Sequence, residues 1–105
     1  MTDKLLVLTT AGSEVEANKI AQALVERRLA ACVNIVPRIQ SVYRWRDQVE
    51  KSEECLLFIK TKRALEGRLQ AAIRELHSYE LPEQVGLAIE SGSEAYFEWI
   101  DESVG

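Results

Sequence analysis

Residues 32–61 read CVNIVPRIQSVYRWRDQVEKSEECLLFIKT, and the reading of this stretch decides the fold. Its first arm is apolar and β-branched at Val33, Ile35, Val36, Ile39 and Val42, then aromatic at Tyr43 and Trp45. Side chains of both kinds suit a pleated, half-buried strand. Arg46, Asp47 and Gln48 form a polar break, where Asp tolerates the left-handed backbone that a short turn needs. The second arm closes on Leu56, Leu57, Phe58 and Ile59. The stretch is therefore a hairpin of two long strands. Its first arm, residues 32–45, extends roughly 45 Å at ~3.3 Å per residue. A folded chain of this size has a radius of gyration of only about 13 Å. The tip must overhang, carrying Tyr43 and Trp45, and an overhanging aromatic hairpin needs a partner surface. Pro37 removes one ladder donor and marks a bend, bulge or edge.

The 105 residues make one domain, residues 1–105. A net charge of −4 weighs against nucleic acid as the partner, because phosphate binding needs clustered positive charge. No basic leader precedes an apolar core, so no secretory signal is expected. No apolar run approaches the ~18 residues of a membrane span. A soluble cytoplasmic protein is the expectation. With the turn centred on Arg46 and Asp47, Cys32 falls opposite Thr61, not opposite Cys55. That offset is roughly 20 Å at ~3.3 Å per residue, beyond the ~7 Å limit between bridged α-carbons. Two free, buried thiols are expected.

The flanking segments supply the remaining elements. Residues 4–10 (KLLVLTT) read as a strand with apolar side chains on both faces, hence covered on both sides. Ala11 and Gly12 break it, and Ser13 with Glu16 forms a capping-box start. Ala17, Ile20, Ala21, Leu24 and Val25 then recur at helical spacing, predicting a helix over 13–28. The Gly12 junction could hold an anion at that helix N-terminus, or be an ordinary loop. After the hairpin, Leu65, Leu69, Ala72, Ile73 and Leu76 predict a second helix over 62–76. Residues 77–84 (HSYELPEQ) are a polar connection, 85–90 (VGLAIE) a fourth strand. Ser91, Gly92 and Ser93 turn the chain into a final helix bearing Tyr96, Phe97, Trp99 and Ile100.

The order β-α-β-β-α-β plus a C-terminal helix is that of the ferredoxin-like α+β sandwich, an antiparallel sheet with both main helices on one face. The other face stays bare, although the strands are apolar on both. A naked face of that kind is a large exposed patch, so the sequence predicts self-association, sheet against sheet.

His77 is the only histidine. It stands where the second helix ends, with Tyr79, Glu80 and Glu83 nearby. Imidazole and carboxylate ligate zinc, copper or nickel, while a histidine at a helix C-terminus also serves simply as a dipole partner. Tyr43, Trp45 and Tyr79 are candidate interface residues. Lys60, Thr61 and Cys32 could line a cleft for an anion or other small ligand. No paired-cysteine metal motif, Ser-His-Asp set or phosphate-binding glycine loop is present.

Several stretches together resemble one family. AACVN at 30–34, SVYRW at 41–45, IKT at 59–61, HSYELPE at 77–83 and Trp99-Ile100 resemble, in order, the CutA divalent-cation tolerance proteins. The resemblance implies a ferredoxin-like homotrimer related in architecture to the PII signalling proteins. It also implies a binding or signalling role in the response to metal ions such as copper, without established enzymatic activity. Of the family's proposed metal ligands, His77 and Glu83 match. Thr9 and Leu76 stand where some members have Cys and a second His. The implied ligand is thus Cu(II) or another divalent metal, weakly bound, with no organic cofactor. Two other readings compete: a small enzyme with an intersubunit site using His77, Lys60 or Tyr79, and a PII-like small-molecule sensor.

Overall fold

The alternation along the strands sorts their side chains between two very different surroundings. In the computed structural model, which describes residues 2–105, the chain runs β1 (Lys4–Ala11), α1 (Glu14–Glu26), β2 (Cys32–Trp45), β3 (Gln48–Lys62), α2 (Glu66–Leu76), β4 (Val85–Ala88) and α3 (Glu94–Ser103). The strands form one antiparallel sheet in the order β2-β3-β1-β4. The element order agrees with the sequence expectation, and β2 lies at an edge, one of the readings that Pro37 left open.

Leu5, Val7 and Ala11 of β1 share a face with Cys55, Leu57 and Ile59 of β3. That face packs on Ala17, Ile20 and Leu24 of α1 and on Leu69, Ala72 and Ile73 of α2, all buried. A two-toothed ion pair from Arg27 to Glu75 ties the two helices together at the surface. The opposite face presents Leu6, Leu8, Leu56 and Phe58, only partly buried, with Val36, Val85 and Leu87 exposed. No layer of the described residues covers it. α3 closes only the end of the sheet, where Ile100 and Val104 pack with Ala31 and Leu65 and Lys4 pairs with Asp101.

The hairpin is built as its residues dictate, with local corrections. The turn is two residues long rather than three: Trp45 pairs with Gln48, and Arg46 and Asp47 both take positive φ, 50° and 67°. Two left-handed residues match the right-handed twist of the flanking strands. The register slips between Val36 and Ile39, where Pro37 and Arg38, the latter at φ 56°, bulge out of the ladder. Pro37 is tolerated because β2 is an edge strand. The bulge sets Cys32 against Lys60, not Thr61. It also leaves Cys32 partly exposed on the open side while Cys55 is buried, which corrects the expectation of two buried thiols. Both are free. The fourth strand is shorter than expected and the second helix opens with a 3-10 turn.

The molecule measures 44 × 26 × 23 Å. Its long axis follows from the hairpin, because β1 ends at Ala11 opposite Cys55. The residues of β3 before Cys55 and those of β2 after the bulge run on together, with no β1 beside them.

Candidate functional site

The loop that follows α2 occupies the place β1 leaves vacant beside the overhang. A network of hydrogen bonds holds it there. Ser13 caps α1 by accepting the Glu16 N–H at 3.1 Å. The Glu16 carboxylate does not return to Ser13; it accepts the N–H of Gly12 at 3.4 Å and that of Ser78 at 2.9 Å. Burial acts to raise the Glu16 pKa, but the hydrogen bonds from Ser78 and Gly12 outweigh it and hold the carboxyl below its usual value. The anion at this helix N-terminus is therefore the chain's own.

His77 has both ring nitrogens engaged. Nε2–H donates to the Thr10 carbonyl, and Nδ1 accepts the N–H of Tyr79 at 3.1 Å. These partners define a neutral tautomer whose single lone pair is taken. The ring reaches across to β1 rather than capping the carbonyls of its own helix.

Tyr79 carries the network to the hairpin. Its hydroxyl donates to Glu54 Oε2 at 2.6 Å. Burial, then the hydrogen bond to Glu54, pushes the phenol well above its ordinary pKa. The ring lies against Gly12, where a β-carbon would stand 3.2 Å from the phenol oxygen. A side chain at this position would fit only if the Tyr79 ring gave way by a few tenths of an ångström.

Between loop and overhang lies an open cavity of about 820 Å³. Tyr43 and Trp45 line it from the hairpin, Tyr79 and Glu83 from the loop, and Glu54 and Thr10 from the sheet. The structure thus brings together four of the residues singled out from sequence: Tyr43, Trp45, Tyr79 and Glu83. His77 is not part of that wall. Lys60 and Cys32 meet through Asn34, whose Oδ1 accepts from Lys60 Nζ at 2.8 Å and from Cys32 Sγ at 3.7 Å. Thr61 does not join them. It points to the helix side, fully buried, and donates to the Leu29 carbonyl at 2.8 Å.

The residues do not assemble a closed metal site within one chain. Among the described residues, no three His, Cys, Asp or Glu side chains cluster as a metal would need, against the four donors of a closed zinc site. Thr9 is fully buried on the helix side with its hydroxyl unpartnered, and Leu76 packs on the core.

Sequence reasoning missed Glu54 and Glu16. Glu54 was legible in principle, because period-2 alternation puts it on the same face as Leu56 and Phe58, and an acid on an apolar face is anomalous. The redirection of Glu16 from its capping box depends on a loop more than sixty positions away and left no local sign.

The fold and site define a small α+β protein with an open apolar sheet face and a loop-covered cavity. Comparison with known proteins narrows that class. The family described as CutA1 divalent ion tolerance protein matches residues 5–103. The divalent-cation tolerance protein CutA of Thermus thermophilus is 46% identical over 100 residues, covering 95% of this chain and 97% of the relative. Mouse protein CutA is 42% identical over 91 residues, 87% of this chain but 51% of the relative. The chain thus spans nearly the whole bacterial protein and about half of the mouse one. Among solved structures, the Thermus thermophilus Cut A1 protein superposes with a TM-score of 0.95 at 45% identity, covering 97% of this chain and 99% of that one. CutA from Synechococcus elongatus gives 0.94 at 41%, covering 100% and 93%. The chain belongs to the CutA1 divalent ion tolerance family.

Proposed function

We propose that this chain works as a ferredoxin-like homotrimer of PII-like architecture that takes part in the response to divalent cations such as copper, as a binding or signalling protein rather than an enzyme. The single observation behind the reading is the open sheet face: Leu6, Leu8, Leu56 and Phe58, with Val85 and Leu87 exposed beside them. Burying such a surface against other copies removes apolar area from water at about 25 cal/mol per Å². The relatives' names, which speak of divalent-cation tolerance, support the cation side of the reading. A cytoplasmic setting is part of the proposal and agrees with two free thiols.

Metal contact in this proposal is weak. The Glu83 carboxylate at the cavity wall is one donor, and His77 becomes a second only after releasing Tyr79 N–H. Calorimetry with Cu(II) checks this, with wild type and His77→Ala side by side. The expected outcome is a micromolar or weaker constant that His77→Ala weakens further. Unchanged affinity in His77→Ala, or nanomolar binding by wild type, contradicts the assignment.

A further inference from the structure

Arg46 supplies the starting observation. Its guanidinium lies over the Trp45 ring, 5.5 Å from the centroid, with one nitrogen 3.5 Å from Glu80 Oε2. Trp45 and Glu80 both line the cavity under the hairpin. The molecule thus already seats a delocalised cation of its own against an aromatic face and a carboxylate at that cavity.

We propose that this cavity is a binding site for an organic ammonium ion, a protonated amine or quaternary ammonium with an apolar body, held among the rings of Tyr43, Trp45 and Tyr79 and the carboxylate of Glu54. The inference goes beyond the role in cation tolerance and does not rest on it.

Three further observations carry it. First, the charged side chains that line the cavity are of one sign: Glu54, Glu80 and Glu83 line it and, among the described residues, no Lys or Arg does, Arg46 reaching only Trp45 and Glu80 from the turn. Second, Glu54 is only 8% exposed, and its hydrogen bonding is half complete. The Tyr79 hydroxyl serves Oε2, while Oε1 takes no hydrogen bond from the described residues. Oε1 is not sealed from solvent and can accept from a cation that enters the cavity. Third, the walls suit a bulky soft cation better than a metal ion. Ring faces attract ammonium and guanidinium groups through their quadrupole but are no ligands for a divalent metal, and no three-ligand cluster is present among the described residues. The volume of about 820 Å³ falls in the range of about 300–1,000 Å³ that holds small organic molecules.

Arg46 is then an internal competitor. It lies over the Trp45 ring and pairs loosely with Glu80, from a turn where its side chain is 74% exposed and free to swing away. In the trimer proposed above, the hairpin tip stands beside a neighbouring copy, so the site is tested in the full chain in its native assembly.

The probes are benzylammonium and its neutral analogue benzyl alcohol, followed by calorimetry and by the indole N–H signal of Trp45, assigned with Trp45→Phe. Benzylammonium is expected to shift that signal saturably and to bind roughly ten-fold or more tighter than benzyl alcohol. Glu54→Gln, which keeps an acceptor for Tyr79, is expected to weaken benzylammonium about ten-fold and leave benzyl alcohol unchanged. Arg46→Ala is expected to tighten benzylammonium several-fold. Equal binding of the two probes would reduce the site to an apolar hole and overturn the proposal. So would the absence of a saturable shift, as when a neighbouring copy fills the cavity, or loss of the benzylammonium shift on adding Zn(II), which would make a metal the occupant. Should Glu54→Gln fail to fold by circular dichroism, Arg46→Ala on the exposed turn decides alone: unchanged affinity there overturns the competitor and with it the proposal.

Discussion

Leu57 and Phe58 are consecutive in β3, yet they meet different worlds. Leu57 has no exposed surface and packs among the helix-facing residues of α1 and α2. Phe58 stands on the open face beside Leu6 and Leu8, partly in water. The same contrast separates Val7 from Leu8 in β1. Two faces of one sheet have been given equally apolar residues, and the chain supplies helices for only one. The difference teaches that the apolar patterning of these strands exceeds the cover that one chain supplies, an excess the proposed assembly accounts for.

The comparison breaks most visibly at Leu57 and Phe58 themselves. Leu57→Ala opens a hole in a closed core and is expected to cost about 3 kcal/mol of folding stability, measured by urea unfolding. Phe58→Asp is expected to act mainly on association, leaving far-ultraviolet circular dichroism native while the assembly comes apart. Equal loss of fold from both substitutions would erase the distinction between the faces.

A smaller effect sharpens the description of the closed face. Thr9 is buried there with an unpartnered hydroxyl. Thr9→Val keeps the shape and removes the unpaired group, so it is expected to stabilise the protein by about 1 kcal/mol. Destabilisation of that size would mean that the hydroxyl has a partner in solution.

The loop network beside the hairpin gives the smallest effects, at the two ends of the pH scale. The Glu16 carboxyl is held below its ordinary value of 4.5. Its contribution is complete above that pH and is lost as pH falls through the lowered folded value. Tyr79 is held above its ordinary value of 10.0. Its contribution is complete below that pH and is lost as pH rises beyond it, as the unfolded phenol ionises first. Glu16→Gln is expected to flatten the acid limb of a stability profile and Tyr79→Phe the alkaline limb, with little change in slope between pH 6 and 9. A Tyr79→Phe profile that parallels wild type above pH 10 would show the phenol to be unconstrained.

Much of this architecture was legible in local sequence. The hairpin announced itself through a β-branched arm before one polar break and an arm closing on Leu56, Leu57, Phe58 and Ile59 after it, and Ser13 with its helical stripe marked α1 within two residues at either end. Pro37 flagged its own bulge. What the pattern could not carry was the one-residue consequence of that bulge: Pro37 and Arg38 together oppose a single position, so Cys32 turns to meet Lys60 and not Thr61. The site was legible as residue types rather than as a constellation. Tyr43, Trp45, Tyr79 and Glu83 were visible as an aromatic tip and a polar loop, and they converge because β1 stops short and the loop fills its place. The engagement of both nitrogens of His77 by backbone groups depends on the three-dimensional path of residues 77–79 and has no signature in spacing.

The central claim is that the open face belongs to an assembly of three. Multi-angle light scattering during size-exclusion chromatography at micromolar concentration tests it most directly, with wild type and Phe58→Asp run together. Wild type is expected at three times the 11.9 kDa chain mass, and Phe58→Asp at the mass of a single chain with native circular dichroism. A wild-type protein that elutes as a stable monomer, its open face in water, would contradict the account.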